Sequence, residues 1–272
     1  MKITADMHTH SENSHDSVCS IEEMCLAQIK KGTNIMAVTD HADIYSFDDY
    51  DIYTPIEKTH KTVEELNRKY GDRITLLSGI EISEGFWFPE KSKKMRNLCD
   101  YDVIIGSVHC VKYGKLSIPY SRIDFSSFTE KEIYEYLDCY FNDMLEMLEK
   151  ENFDVLAHLT CPIRYITGKY NIDVNMEKLE KNTDKILSVI IEKNIALEVN
   201  TSSFDALGDF FPSKDILKQY HKMGGFLITM GSDAHVAENA SVQFEKALQT
   251  VREIGFDKMY YYKKRKPIAY EI

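Results

Sequence analysis

The 272-residue chain is short of positive charge: 33 Lys and Arg stand against 44 Asp and Glu, a formal net charge of −11. Modules that track a nucleic-acid backbone present a net basic face, so no nucleic-acid partner is expected. The chain also lacks any run near the roughly 18 apolar residues of a membrane span. Its first ten residues, MKITADMHTH, show no charged segment followed by an apolar one, and the expectation is a cytoplasmic protein with no membrane contact. The six cysteines, at 19, 25, 99, 110, 139 and 161, form no CxxC pair and no zinc-knuckle spacing, which favours reduced thiols serving as small core residues. Pro/Gly/Ser-rich linkers, low-complexity tracts and repeats of roughly 20 to 50 residues are missing too. The remainder is ordinary for a globular chain, 43% hydrophobic and 28% charged, and supports a sizeable core.

Periodicity supplies the architecture. Short β-rich runs alternate with segments of helical spacing. Strands are predicted at 2–8, 34–40, 73–83, 101–109, 153–159, 195–202 and 225–233, with an eighth run, KMYYY, at 258–262. Helices are predicted at 20–31, 55–70, 89–98, 129–151, 176–193, 213–223 and 241–254. Ser20 with Glu23, and Thr129 with Glu132, have capping-box spacing, and Pro55 and Pro89 suit first-turn positions. Seven or eight β-then-α units without a linker favour one closed α/β barrel, a single domain over residues 1–272, rather than two domains.

The chemistry lies in the histidines. Of nine, His60 and His221 fall in predicted helices among polar neighbours and read as solvent-facing. His8, His10, His41, His109, His158 and His235 fall at or just after the C-terminal ends of predicted strands, and His15 follows in the first loop. In a parallel barrel those ends converge on the face where catalysis is housed. Asp6, Asp16, Asp40, Glu81 and Asp233 join them there. Nitrogen and carboxylate ligands without thiolate suit Zn²⁺, Mn²⁺ or Fe²⁺. Alternation along an extended strand puts His8 and His10 on one side, about 7 Å apart. This many ligands exceeds the needs of one ion that keeps an open position. More than one ion is implied, with Glu81, at the end of a central strand, as the natural bridge. A divalent ion lowers the pKa of bound water from about 15.7 to near 7; a metal-bridging hydroxide and phosphoester hydrolysis follow as the leading chemistry.

The segments HTH (8–10), TDHA (39–42), GIE (79–81), SVH (107–109), AH (157–158) and GSDAH (231–235) resemble, in order and over nearly the whole chain, the polymerase and histidinol phosphatase (PHP) superfamily. The length and the SENSHDS loop are similar to its HisJ/HisK-type histidinol-phosphatases. The resemblance implies a distorted (β/α)7 TIM-like barrel and three divalent ions, Zn, Mn or Fe. It implies hydrolysis of L-histidinol phosphate to L-histidinol and phosphate in histidine biosynthesis. Carried over by position, it implies one site of His8, His10, Glu81 and Asp233, a second of Glu81, His109 and His158, and a third of His41, His235 and a residue of the first loop. His15 and Asp16 compete for that last place; spacing from His8 favours Asp16, although some relatives use a histidine there. Asp6 and Asp40 are expected to orient imidazole N–H groups from behind the ligands.

Beyond the metal ligands, Arg164 in the RYITGK loop is expected to grip phosphate through its planar fork, with Asn200, Arg122 and Tyr113 as further substrate contacts and Lys112 a weaker one. The loop 110–125, with Pro119 and Tyr120, is a candidate lid. Glu81, Asp233, His235 and Arg164 are the expected catalytic residues, with Asp233 and His235 as leaving-group proton donors if not committed as ligands. Other readings are a phosphoesterase acting on a nucleotide, phosphotyrosine or another small phosphomonoester, an amidohydrolase, and a non-catalytic metal-binding barrel. The amidohydrolase is disfavoured because strand four ends in His109, where a carboxylated lysine is usual. Oligomeric state is not legible in the sequence.

Overall fold

A computed structural model of the protein describes residues 4–46 and 51–272. Residues 2 and 3 of the first predicted strand lie outside them. The strands are β1 (Ala5–Asp6), β2 (Ile35–Val38), β3 (His41–Asp43), β4 (Thr75–Ser83), β5 (Val103–Ser107), β6 (Val155–Leu156), β7 (Ala196–Asn200) and β8 (Ile228–Gly231). They pair in parallel in the order β1-β2-β4-β5-β6-β7-β8. β3 resumes the line of β2 after a break at Thr39 and Asp40 and sets His41 opposite Glu81 on β4. The sheet comes round on itself, because Met7 N donates to Met230 O, His10 N to Ala234 O and Asp233 N to His8 O. The result is the expected seven-stranded, nearly closed α/β barrel.

The run at 258–262 does not join it. It forms β9 (Lys258–Lys263), antiparallel to β10 (Lys266–Glu271), a strand the sequence reading missed. The reason is local: Lys264 and Arg265 both have positive φ, the two-residue turn that twists with its flanking strands into a hairpin.

Helices between the strands pack around the outside of the barrel: α1 (Ile21–Lys30), α2 (Tyr53–Tyr70), α3 (Pro89–Arg96), α4 (Glu130–Lys150), α5 (Pro162–Ile166), α6 (Glu180–Lys193), α7 (Phe204–Leu207), α8 (Lys214–Lys222) and α9 (Phe244–Ile254). Both capping boxes form, at Ser20 and Thr129, and Pro89 opens α3. α9 starts three residues later than predicted, because Ser241 and Gln243 take positive φ. The short α5 and α7, absent from the sequence reading, fold the loops that carry Arg164 and precede the last strands. No helix among the described residues is long and apolar enough to cross a membrane. The six cysteines are free.

Candidate metal centre

Each predicted ligand leaves the barrel at the same end. His8 and His10 follow β1, His41 opens β3, Glu81 lies within β4, His109 and His158 stand two residues past β5 and β6, and Asp233 and His235 follow β8. His158 and Asp233 hold positive φ, +24° and +53°, a backbone state that costs energy for residues with a Cβ and that clusters at functional sites.

Their donor atoms converge in three groups. His8 Nε2 lies 3.3 Å and His10 Nε2 3.6 Å from Glu81 Oε2, and they lie 3.7 and 3.2 Å from Asp233 Oδ1. His109 Nε2 and His158 Nε2 are 3.4 Å apart and sit 3.2 and 3.0 Å from Glu81 Oε1. His41 Nε2 and His235 Nε2 are also 3.4 Å apart, at 3.5 and 3.3 Å from the two oxygens of Asp16. Close triads also cross the groups, joining His10 with His41 and His235, and His41 with Glu81 and His109. The donors therefore form one continuous cluster around Glu81. Ligands of a tetrahedral ion with metal–ligand bonds near 2.1 Å stand about 3.3 Å from one another, which is the spacing found.

Hydrogen bonds behind the cluster fix how several of the rings are turned. His8 Nδ1 faces Glu198 Oε1 at 2.7 Å, His109 Nδ1 faces Asp43 Oδ1 at 3.2 Å, and His235 Nδ1 faces the carbonyl of Asp233 at 2.9 Å. Each partner is an acceptor, so each Nδ1 carries the proton. His10 Nδ1 meets Ser14 Oγ at 3.2 Å, and Ser14 donates its own hydrogen to Asp40. When these rings are neutral, the Nε2 lone pairs of His8, His10, His109 and His235 point at carboxylate oxygens or at a neighbouring imidazole. His41 Nδ1 is buried 2.8 Å from Glu81 Oε2, and His8 Nε2 and His10 Nε2 are buried without a hydrogen-bond partner among the described residues. Buried polar atoms are rarely left so. This donor set fits divalent cations.

The electrostatics agree. Burial opposes charge throughout, yet His109, His8 and His41 hold Glu81 well below the usual carboxylate range, and His8, His10 and His235 do the same for Asp233. Against the same burial, Glu198, Glu81 and Asp233 hold His8 well above the ordinary imidazole value, and Glu81 and Asp43 hold His109 there. His41 is pushed up to about 10, with Glu81 and Asp16 outweighing its burial. His10 is driven well below its usual value by burial and by His41 and His235 beside it. A field that favours positive charge this strongly suits divalent cations.

The remaining predicted residues separate. Asp16, not His15, joins His41 and His235; His15 Nδ1 lies 3.6 Å from Asp43 Oδ2 at the pocket wall. A pocket of about 390 Å³ opens over the cluster, and Arg164, Arg122, Tyr120 and Pro119 line it. Arg164 is braced by one Nη on the Ser202 carbonyl at 2.5 Å. Asn200 is fully buried and spends its side chain on Glu198 and Ser202, away from the pocket lining. Tyr113 and Lys112 also stand outside that lining, Tyr113 on Phe128 and Tyr136, Lys112 over Trp87. Asp233 and His235 are committed within the cluster. His60 is half-buried on Ser78 Oγ rather than solvent-facing.

Two expectations are corrected. Asp6 accepts from Gln28 and Ser232, and Asp40 from Ser11, Ser14 and Thr59; Asp40 reaches His10 through Ser14, and neither carboxylate touches an imidazole directly. The carboxylates that do are Glu198 and Asp43, which the sequence reading missed. Strand period gives the reason and the overlooked signal. Residues two apart share a side, so Asp43 goes with His41, and Glu198, an acid inside the apolar run IALEVN, goes inward with Asn200.

Comparison with known proteins finds that the PHP domain family model matches residues 6–202. A Clostridium acetobutylicum protein named "probable histidinol-phosphatase" is 27% identical over 95% of this chain and 97% of its own. The histidinol-phosphatase of Lactococcus lactis is 27% identical over 93% and 92%. Among solved structures, the histidinol phosphate phosphatase of Lactococcus lactis, complexed with zinc, L-histidinol and phosphate, superposes with a TM-score of 0.83 at 23% identity, covering 98% of this chain and all of that one.

Proposed function

Because the chain belongs to the PHP domain family, we propose that it is a metal-dependent phosphomonoesterase that hydrolyses L-histidinol phosphate to L-histidinol and phosphate. The observation that carries this reading is the cluster of convergent imidazole nitrogens and carboxylate oxygens, several without a hydrogen-bond partner among the described residues, beneath a pocket walled by arginine. The names and coverage of the relatives support the substrate.

Three ions, zinc, manganese or iron, would be held by the three donor groups with Glu81 shared between the first two. Bound there, they would supply a water that is deprotonated near neutral pH and positive charge for the phosphoryl oxygens. The protein's own part is placement. Arg164, with one edge fixed on the Ser202 carbonyl, keeps its remaining N–H groups for the phosphoryl oxygens. Arg122 lines the same pocket with Tyr45, Tyr120 and Tyr165, which give the leaving group an aromatic wall. Residues 1–272 act as one domain, supported by the docking of the terminal hairpin on the barrel, and the six free cysteines support a cytoplasmic setting.

The test is a steady-state comparison, on metal-reconstituted protein, of L-histidinol phosphate with nucleoside monophosphates and a phosphotyrosine peptide. Histidinol phosphate should give the highest kcat/KM, and Arg164→Ala should lower it by about 10- to 100-fold. A clear preference for another ester refutes the substrate; release of phosphate from none of them refutes the enzyme.

A further inference from the structure

Glu198 is a buried carboxylate that sequence patterning did not place in the site. A charge in the interior of a barrel is expensive unless every lone pair is used, and this one is fully employed. Oε1 faces His8 Nδ1 at 2.7 Å, while Oε2 accepts the backbone N–H of His158 at 2.7 Å and the amide of Asn200 at 3.1 Å. The neighbouring strand is shaped around it: a Cβ at Gly231 would collide with Glu198 Oε1 and with the Cβ of His8.

Its two principal partners belong to different donor groups. His8 follows β1 and His158 follows β6, and these strands do not pair; β7 and β8 intervene on the shorter way round the sheet. No ladder of backbone hydrogen bonds therefore sets the distance between the two rings, whose centroids stand 5.8 Å apart. Glu198, reaching inward from β7, touches both. It fixes the His8 proton on Nδ1, so that Nε2 faces Glu81 and Asp233, and it holds the His158 amide where the backbone takes φ +24°.

We propose that Glu198 is a positioning residue that sets the spacing and the tautomer required by the first two metal subsites, through simultaneous contact with His8 and His158. This rests on the metal-dependent reading above. Asp16, His41 and His235, which make up the third group, lie outside its reach.

The variant that isolates the role is Glu198→Gln. It keeps the shape but offers one acceptor oxygen, which can serve His8 Nδ1–H or the His158 N–H and not both. Metal-free wild type and variant are titrated with Zn²⁺ against a chromophoric chelator, with Asp154→Asn as a control for loss of a buried carboxylate remote from the site. The expected result is a drop of about 10- to 100-fold in affinity for the ions of the first two subsites, with the control unchanged. Wild-type affinity in Glu198→Gln, whatever its melting temperature, overturns the proposal. A wild type that takes up no ion overturns the metal-dependent reading itself, and this inference with it. If the variant does not fold, metal-loaded wild type decides: ¹⁵N shifts must show the His8 proton on Nδ1, and the opposite tautomer overturns the proposal.

Discussion

The two ends of the barrel use the same kind of side chain in opposite ways. At the base, Asp102 and Asp154 begin β5 and β6 by absorbing main-chain donors. Asp102 accepts from Ser78 N and Lys264 N, and its carbonyl accepts from Arg265 N; Asp154 accepts from Ile104 N and the Arg265 guanidinium. The terminal hairpin is thereby pinned across the strand starts. At the other end, Glu81 Oε1 and Oε2 and Asp233 Oδ1 face the ring nitrogens of His8, His10, His41, His109 and His158 and, among the described residues, no main-chain donor. Carboxylates whose partners are main-chain amides and a guanidinium hold structure together, whereas carboxylates ringed by imidazoles have the chemistry of cation ligands. Burial alone separates nothing here, since Glu81 and Asp154 are both buried.

The largest expected effect comes from Glu81→Gln. Its two oxygens serve two donor groups, so the variant should lose tightly bound metal and at least about 1,000-fold in kcat, the equivalent of the several kcal/mol that such ions supply. Its circular dichroism should stay that of wild type. Wild-type metal content and turnover in this variant would erase the distinction between the ends. The converse change is Asp154→Ala, which strands the Ile104 amide and the Arg265 guanidinium. It should cost about 2–3 kcal/mol in urea denaturation, below the fully buried range because Arg265 stays 31% exposed, while kcat is unchanged. A loss of activity with intact stability would reverse the assignment.

That contrast also explains what could be read in advance. The barrel was legible because parallel strands buried on both faces announce themselves as apolar runs, and the convergence of the histidines and acids because strand ends of such a barrel meet whatever the details of packing. The hairpin was not, because its signal is the positive φ of Lys264 and Arg265, residues with no turn preference of their own. Asp6 was misread, and Asp40 reaches an imidazole only through Ser14, because strand-end position says that an acid is near the site, not which donor it meets. Asp6 meets Gln28 from α1, and Asp40 meets Thr59 from α2, partners brought by tertiary packing. Glu198 stayed hidden because an acid within a strand core carries no motif; only its contacts across β7 and β8 reveal it.

Glu84 lies between the two classes and gives the most specific test. It follows β4 at φ +51°, and its Oε1 accepts from the amides of His109 and Cys110 at 2.6 and 2.9 Å, the structural use seen at the base. Its Oε2 is buried without a hydrogen-bond partner among the described residues, the condition of the metal end. Burial, aided by the nearby Asp43 charge and opposed by His109, pushes its carboxyl up to about 7 from an ordinary value of 4.5. A folded pKa above the unfolded one means that the acid favours folding while it is protonated. The contribution is complete below pH 4.5 and is lost as pH rises through 7. Glu84→Gln keeps an acceptor for the two amides and cannot ionise. In metal-free protein its stability relative to wild type should rise by about 3 kcal/mol between pH 4 and pH 8, the size of the shift in the Glu84 carboxyl. Urea melts of both proteins at pH 4, 6 and 8 measure the difference. A gap that stays constant with pH would show Oε2 to have a donor after all, and would move Glu84 to the class of Asp102 and Asp154.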